Sequence, residues 1–208
     1  MRTALIVCAA VAVVAFSYVS VRADDAPMKA DDASTWNLPV QVSKIPTKDE
    51  LAKLEADAEK GDAEAQTDLG ILYYRGRGVP KDYAKAVELW RKAAAQGDAQ
   101  AENNLGEAHE AGAGVPQNYE EAAKWNLKAA EQGHPVAQFE LGGMYATGRG
   151  VSRDLVKAYV WSSLAAERDI KPAKANLDKI AGQMTPDEKA ESETLLKLKK
   201  STSLSASD

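Results

Sequence analysis

The sequence predicts an all-α protein: a right-handed α-solenoid in which about eight helices form antiparallel pairs. The main observation is an internal period of 36 residues, which returns three times between residues 61 and 168. Periods of this length are typical of solenoids, whose repeats stack only on their neighbours. The second observation is composition, since 38 Ala and 2 Phe among 208 residues favour closely packed helices over a large β-sheet.

Charge and cysteine content exclude several functional classes. The chain carries 26 basic and 31 acidic residues, a net charge of −5, whereas nucleic-acid binders usually present a basic face. The single cysteine, Cys8, excludes an intramolecular disulfide framework and a cysteine-rich zinc site. We therefore expect no nucleic-acid partner, no metal and no cofactor.

Residues 1–23 have the three-part pattern of a secretory signal peptide. Arg2 gives a positive start, an apolar run covers residues 4–16, and Val21-Arg22-Ala23 resembles a small-residue cleavage site. The alternative is a permanent membrane anchor, for which a run of 13 residues is shorter than the roughly 20 that a spanning helix needs. We expect cleavage near Ala23, a periplasmic or secreted location, and no stable membrane insertion afterwards.

Residues 24–46 are predicted to be a flexible linker. They mix Asp, Ala, Ser, Pro and Lys without helical periodicity. Trp36 and Leu38 are the apolar exceptions. They either pack on the first helix or form a short docking peptide.

Three full repeats are predicted at about 61–96, 97–132 and 133–168. Each contains a Leu-Gly pair and a Gly-x-Gly-Val segment that return at steps of 36 residues. The pairs are Leu69-Gly70, Leu105-Gly106 and Leu141-Gly142, and the segments begin at Gly76, Gly112 and Gly148. The pair is expected in the middle of a first helix, where glycine lets a partner helix approach closely. The segment is expected to end that helix, with glycine at positive φ.

Cap residues define both helices of each repeat. Asp62 and Asp98 can cap the first helices, and His134 precedes Pro135 at the corresponding, presumed exposed, helix start. Three polar residues can cap the second helices, whose buried faces follow at spacings of three and four. The caps are Asp82, Asn118 and Asp154, and the buried faces are Ala86, Leu89, Ala93; Ala122, Trp125, Ala129; and Ala158, Trp161, Ala165.

The solenoid is predicted to span residues 47–200 with half-repeats at its ends. Thr47-x-x-Glu50 is a capping box that starts a second helix without its first. Residues 172–177 resemble a first helix, although Asp178 replaces the glycine. A second capping box begins at Thr185 and opens a charged helix toward Lys200. Residues 201–208 are polar and predicted to be a disordered tail.

The repeat resembles the Sel-one-like repeat family, a relative of the tetratricopeptide repeats. The match rests on residues that recur with small changes in the second and third copies: Ala65, Leu69-Gly70, Tyr73, Gly76, Gly78-Val79, Asp82, Lys85-Ala86, Lys92-Ala93-Ala94 and Gly97. The resemblance implies an adaptor or regulatory protein that binds other proteins. Some relatives with secretory signals occur in envelope signalling, exopolysaccharide export, host interaction and toxin immunity.

No catalytic constellation is found, so we do not expect an enzyme. His109 takes the place of Tyr73 and Tyr145 and is interpreted as a half-buried structural ring. No Ser/His/Asp order or His-x-x-x-His spacing is present. Gly76-x-Gly78 resembles part of a phosphate loop, but its threefold recurrence is explained by its role as a turn.

A tetratricopeptide-like geometry places one face of each first helix on a concave surface. Nine residues are predicted to form a partner-binding site there: Thr67, Ile71, Tyr74, Asn103, Glu107, Glu110, Phe139, Gly143 and Thr147. The alternative for Ile71 and Phe139 is that they only pack against neighbouring repeats. Carboxylates between apolar anchors suit a protein or peptide with a basic segment. The leading hypothesis is an exported, non-enzymatic interaction module. The alternatives are an immunity protein that blocks a secreted toxin, and a cell-wall-active hydrolase.

Overall fold

The computed structural model describes residues 45–205, with side chains to residue 201. The predicted signal peptide and the linker as far as residue 44, including Trp36 and Leu38, lie outside the described residues. The described part is all helical and contains nine helices rather than about eight. They are α1 (Lys48–Glu59), α2 (Ala63–Arg75), α3 (Tyr83–Ala94), α4 (Ala99–Ala111), α5 (Tyr119–Glu131), α6 (Pro135–Thr147), α7 (Leu155–Glu167), α8 (Lys171–Ala181) and α9 (Pro186–Ser205).

The predicted caps begin the helices as expected. Asp62 accepts from the backbone N–H of Ala65 at 2.8 Å, and Asp98 does the same for Ala101 at 2.6 Å. In α1 the capping box is complete, because Glu50 accepts from the backbone N–H of Thr47 at 2.7 Å while Thr47 caps Glu50 in return. These bonds satisfy backbone donors that have no partner within the helix.

The helices pack in the predicted pairs. The most extensive contacts join α2 to α3, α4 to α5 and α6 to α7. Alanines fill the inside of each pair, and Ala86, Ala122 and Ala158 are fully buried. Leu105 and Leu141 are also fully buried, which confirms that the Leu-Gly pairs lie in the core.

Mid-helix glycines set how closely the two helices of a pair approach. A Cβ atom on Gly106 would collide with the side chain of Asn126 in α5, and one on Gly142 would collide with Ser162 in α7. The same position in repeat one, Gly70, faces the indole of Trp90. The predicted close approach is therefore confirmed in all three repeats.

The C-terminal end departs from this pairing. Asp178 occupies the glycine position in α8, so a second helix cannot approach α8 as closely as in the full repeats. The last helix, α9, packs instead against α7. It places the ammonium of Lys199 4.2 Å from the ring centre of Trp161. It also continues to Ser205, five residues beyond the predicted end of the solenoid at Lys200, since no glycine or proline interrupts residues 187–205.

The turns between helices also join neighbouring repeats. Gly78 and Gly114 have φ values of 74° and 75°, as predicted. A Cβ atom on Gly114 would collide with the backbone carbonyl of Tyr83, in the preceding repeat. At Gly78 it would meet side chains rather than backbone: the ring of Pro46 at 3.3 Å and Ile45 at 3.6 Å. The two glycines thus share a conformation but differ in what surrounds them.

We predict that Gly78→Ala destabilises the protein by about 1–2 kcal/mol, the cost of a left-handed alanine. Gly114→Ala should cost more, about 2–4 kcal/mol, because the methyl group must also displace the backbone of the preceding repeat. Urea unfolding followed by circular dichroism measures both. Equal losses would show that the turn is not tightly packed against Tyr83.

Candidate partner-binding face

The predicted site lies on α2, α4 and α6, the first helices of the three repeats. We call their exposed side the first-helix face. Five of the nine predicted residues are not on an open surface: Thr67, Ile71, Asn103, Phe139 and Gly143 are buried, and Asn103 is only 1% exposed. The prediction of their accessibility is corrected, because these positions face the interior of the array.

The buried residues have structural contacts instead. Thr67 donates to the carboxylate of Asp98 at 3.0 Å and so joins α2 to the start of α4. Ile71 belongs to the core of the first repeat. Phe139 packs with Ala165, Ile170 and Ala173, which links α6 to α7 and α8. These contacts hold successive repeats together.

Four predicted residues remain accessible. Glu107 and Thr147 are exposed, and Tyr74 and Glu110 are half-buried. The ring of Tyr74 lies against Tyr83, with 4.9 Å between ring centres, and against Trp90 at 5.3 Å. Burial raises the pKa of Tyr74 to about 12, and the nearby charge of Glu107 adds to the effect. Its hydroxyl therefore stays protonated at neutral pH.

Glu110 already has a partner within the protein. It forms an ion pair with Arg149, which lies in the turn after α6. The guanidinium of Arg149 also lies over the ring of Tyr119, 5.1 Å from its centre. Burial raises the pKa of Glu110, while Arg149 opposes the rise. This pair connects α4 to the following repeat.

Glu107 is the exposed carboxylate of α4. Among the described residues it makes no hydrogen bond and no ion pair within 4.0 Å. A cation from a partner could pair with Glu107 without breaking an existing contact.

Sequence reasoning missed a buried carboxyl group, Glu140 in α6, which is 8% exposed. Asn103 donates to it at 2.8 Å and lies 3.2 Å from Asn126, so side chains of α4, α5 and α6 form one polar cluster. Burial raises the pKa of Glu140 well above its ordinary value, and Glu107 and Glu110 raise it further. The sequence does contain a signal for this group: Asp68, Asn104 and Glu140 occupy the same position in successive repeats, at steps of 36 residues, and all three are polar.

Both histidines have structural surroundings. His109 is half-buried at the position of Tyr73 and Tyr145, and burial lowers its pKa. The residue beside this position also differs between repeats. In repeat one, Lys85 donates to the hydroxyl of Tyr73 at 2.6 Å, whereas in repeat two Glu121 replaces that lysine beside His109. His134 is not exposed as expected. It is half-buried and caps α6 by accepting from the backbone N–H of Ala137 at 3.2 Å.

Two further features concern residues 45–205. In this part of the chain, no three His, Cys, Asp or Glu side chains are grouped as a metal site requires. None of the helices there combines the length and apolar character of a bilayer span.

We predict that Glu140→Gln raises the melting temperature at pH 7. The folded protein holds Glu140 protonated at a pH where the unfolded chain, with a pKa near 4.5, has released the proton. Stability is therefore lost as pH rises from about 4.5 toward the folded-state pKa, and glutamine removes this loss while keeping an acceptor for Asn103. The gain in melting temperature should shrink toward zero near pH 4. Glu131→Gln, at an exposed position of α5, is the control. A gain that does not depend on pH would contradict the assignment.

Known proteins share both the repeat and the fold. The family model of the Sel1 repeat matches residues 63–98, 99–134 and 135–170, two residues later than the predicted repeats and with the same period. The crystal structure of a protective antigen present in uropathogenic Escherichia coli strains, which displays an SLR fold, is 37% identical with a TM-score of 0.68. The match covers 74% of this chain and 33% of the antigen, so the chain spans about a third of that protein's length.

A second crystal structure, a Sel1 repeat protein from Oxalobacter formigenes, is 36% identical with a TM-score of 0.57. The match covers 62% of this chain and 97% of that protein. No curated protein sequence matches the chain. Because the three matches follow the same 36-residue step as the caps, turns and glycines, the chain belongs to the Sel1 repeat family.

Proposed function

We propose that this protein is an exported, non-enzymatic interaction module that binds another protein through the first-helix face. Sel1 repeat proteins generally mediate protein–protein interactions. The observation that supports this face most directly is Glu107, an exposed carboxylate at the centre of the array without an internal partner among the described residues. Solenoids bind along such extended faces because successive first helices present their side chains side by side.

The charges of the face favour a partner with a basic segment. Glu107 lies near Glu110, and the ion pair of Glu110 with Arg149 shows that a guanidinium fits beside these helices. Tyr74 adds an aromatic surface near Glu107. An arginine or lysine of the partner could pair with Glu107 while its aliphatic stem lies against the ring.

The binding prediction uses one charge reversal and a matched control. Glu107→Lys should weaken binding of the purified partner by about 1–3 kcal/mol, because it places like charges together. Glu120→Lys makes the same change in net charge at an exposed position of α5 and should have little effect. The partner is first identified by cross-linking in an envelope extract, and binding is then measured by surface plasmon resonance.

The expected kinetic signature is slower association, with a difference between parent and variant that decreases as salt concentration rises. Both variants must melt like the parent. If Glu107→Lys binds as tightly as the parent while remaining folded, the partner site lies on another face.

Export is supported by the pattern of residues 1–23, and its prediction concerns the mature chain. We expect the mature protein to begin near Asp24 and to be recovered in the periplasmic or secreted fraction without detergent. Intact-mass spectrometry of the purified native protein measures where it starts. A mass that retains Met1, together with recovery only in detergent, would favour a membrane anchor.

A further inference from the structure

A chain of side-chain hydrogen bonds leads from the start of α6 into the first-helix face. The ring of His134 contacts the side chain of Gln100 in α4, with 3.1 Å between Nε2 and Oε1. The amide of Gln100 in turn contacts Asn104, one turn further along α4, with 2.9 Å between Nε2 and Oδ1. Three polar side chains from two repeats thus form one line.

His134 determines which group donates and which accepts in each of these hydrogen bonds. His134 Nδ1 accepts from the backbone N–H of Ala137, so the neutral ring carries its proton on Nε2. Burial lowers the pKa of His134 to about 4, which keeps the ring neutral at pH 7. The Nε2–H group must donate to Gln100 Oε1. Gln100 then donates through Nε2, and Asn104 accepts through Oδ1.

Asn104 therefore ends the chain with its NH₂ group, a donor. Asn104 is only 6% exposed, and its Nδ2 atom has no acceptor among the described residues. A buried donor without a partner is costly, which makes it a place where an incoming acceptor gains more than an ordinary hydrogen bond.

The surroundings of Asn104 suggest what that acceptor is. Asn104 lies three residues before Glu107 on α4, so the two side chains share one side of the helix. One period of 36 residues earlier, the positions of Gln100, Asn104 and His134 are occupied by carboxylates rather than donors: Glu64, Asp68 and Asp98. Burial and the charges of Glu64 and Asp98 raise the pKa of Asp68 to about 6. An anionic ligand is disfavoured beside so many acidic groups, whereas a neutral carbonyl oxygen is not.

We propose that Asn104 and Glu107 together bind an extended segment of the partner: Asn104 Nδ2 donates to a main-chain carbonyl, and Glu107 pairs with an adjacent basic side chain. This inference rests on the proposed function, because it describes how the first-helix face recognises its partner. His134 and Gln100 are positioning residues, since they fix the amide of Asn104 with its donor group free to bind.

The test uses variants that separate binding from stability. Asn104→Leu removes the donor without adding charge, and it should bind roughly tenfold more weakly. It should melt close to the parent, because the lost bond from Gln100 to Oδ1 is offset by removal of a buried Nδ2 donor that has no acceptor. His134→Asp keeps a cap like that of Asp98 in repeat two but cannot donate to Gln100. It should weaken binding about threefold to tenfold with α6 still folded. Gln183→Leu, at an exposed amide between α8 and α9, is the control.

The probe is a nine-residue peptide taken from an array with Arg, Lys, Glu or Leu at the central position. The tightest-binding peptide with a basic centre is made again with single ester bonds in place of peptide bonds, because an ester carbonyl is a weaker acceptor. One ester position should weaken binding to the parent but have no further effect on Asn104→Leu. The side-chain amide signals of Asn104 in a ¹H–¹⁵N spectrum should also shift when the peptide is added.

Each outcome has a distinct meaning. If a peptide binds and Glu107→Lys abolishes binding while Asn104→Leu does not change it, the first-helix site stands and the role of Asn104 is overturned. If Asn104→Leu lowers the affinity by the same factor for the all-amide peptide and for each of the ester peptides, Asn104 does not contact a main-chain carbonyl and the proposal is wrong. If no peptide binds, or neither variant affects binding, the proposed function of this face fails as well.

Discussion

The close packing of a second helix against a glycine in the first is the constraint on which the array depends. At Gly70, Gly106 and Gly142 the neighbouring side chain occupies the space in which a Cβ atom would lie. Alanines on both helices keep this short separation along the rest of each pair. A solenoid adds its stability repeat by repeat, so one spacing must be reproduced every 36 residues. At Asp178 the glycine is absent and this spacing is not reproduced, and α9 packs against α7 instead.

The side chain that faces each glycine differs from repeat to repeat, and this difference shapes the interior. Trp90 fills the space in repeat one and donates to the carbonyl of Thr67 at 3.2 Å. Asn126 fills it in repeat two and connects Asn103 to the buried carboxyl of Glu140. The central repeat is therefore held by a polar cluster where the first is held by an indole ring. A buried cluster of this kind contributes less net stability than apolar packing but is costly to disrupt.

Local features of the fold were predictable because they depend on a few neighbouring residues. The caps at Asp62 and Thr47 and the positive φ of Gly114 each follow from one or two side chains and the backbone around them. The candidate site was only partly predictable. Phe139 and Ile71 are buried rather than accessible, because helical periodicity does not show which part of a helix surface meets the next repeat. The direction of the amide of Asn104 depends on His134 in another repeat, which no local pattern contains.

Equivalent positions of the repeats differ in burial although the helices that carry them are alike. Ile71, Glu107 and Gly143 occupy the same place in three successive first helices, yet Ile71 and Gly143 are buried and Glu107 is exposed. Since glycines, alanines and caps fix the helices, a side chain on the first-helix face can change without altering the repeat. In the central repeat these variable positions carry polar groups: Asn104, Glu107 and Glu110 lie within two turns of α4. A repeat selected only for packing would have no need of a buried amide without an acceptor beside an exposed carboxylate, and this pairing is the strongest physical reason to place recognition at the centre of the array.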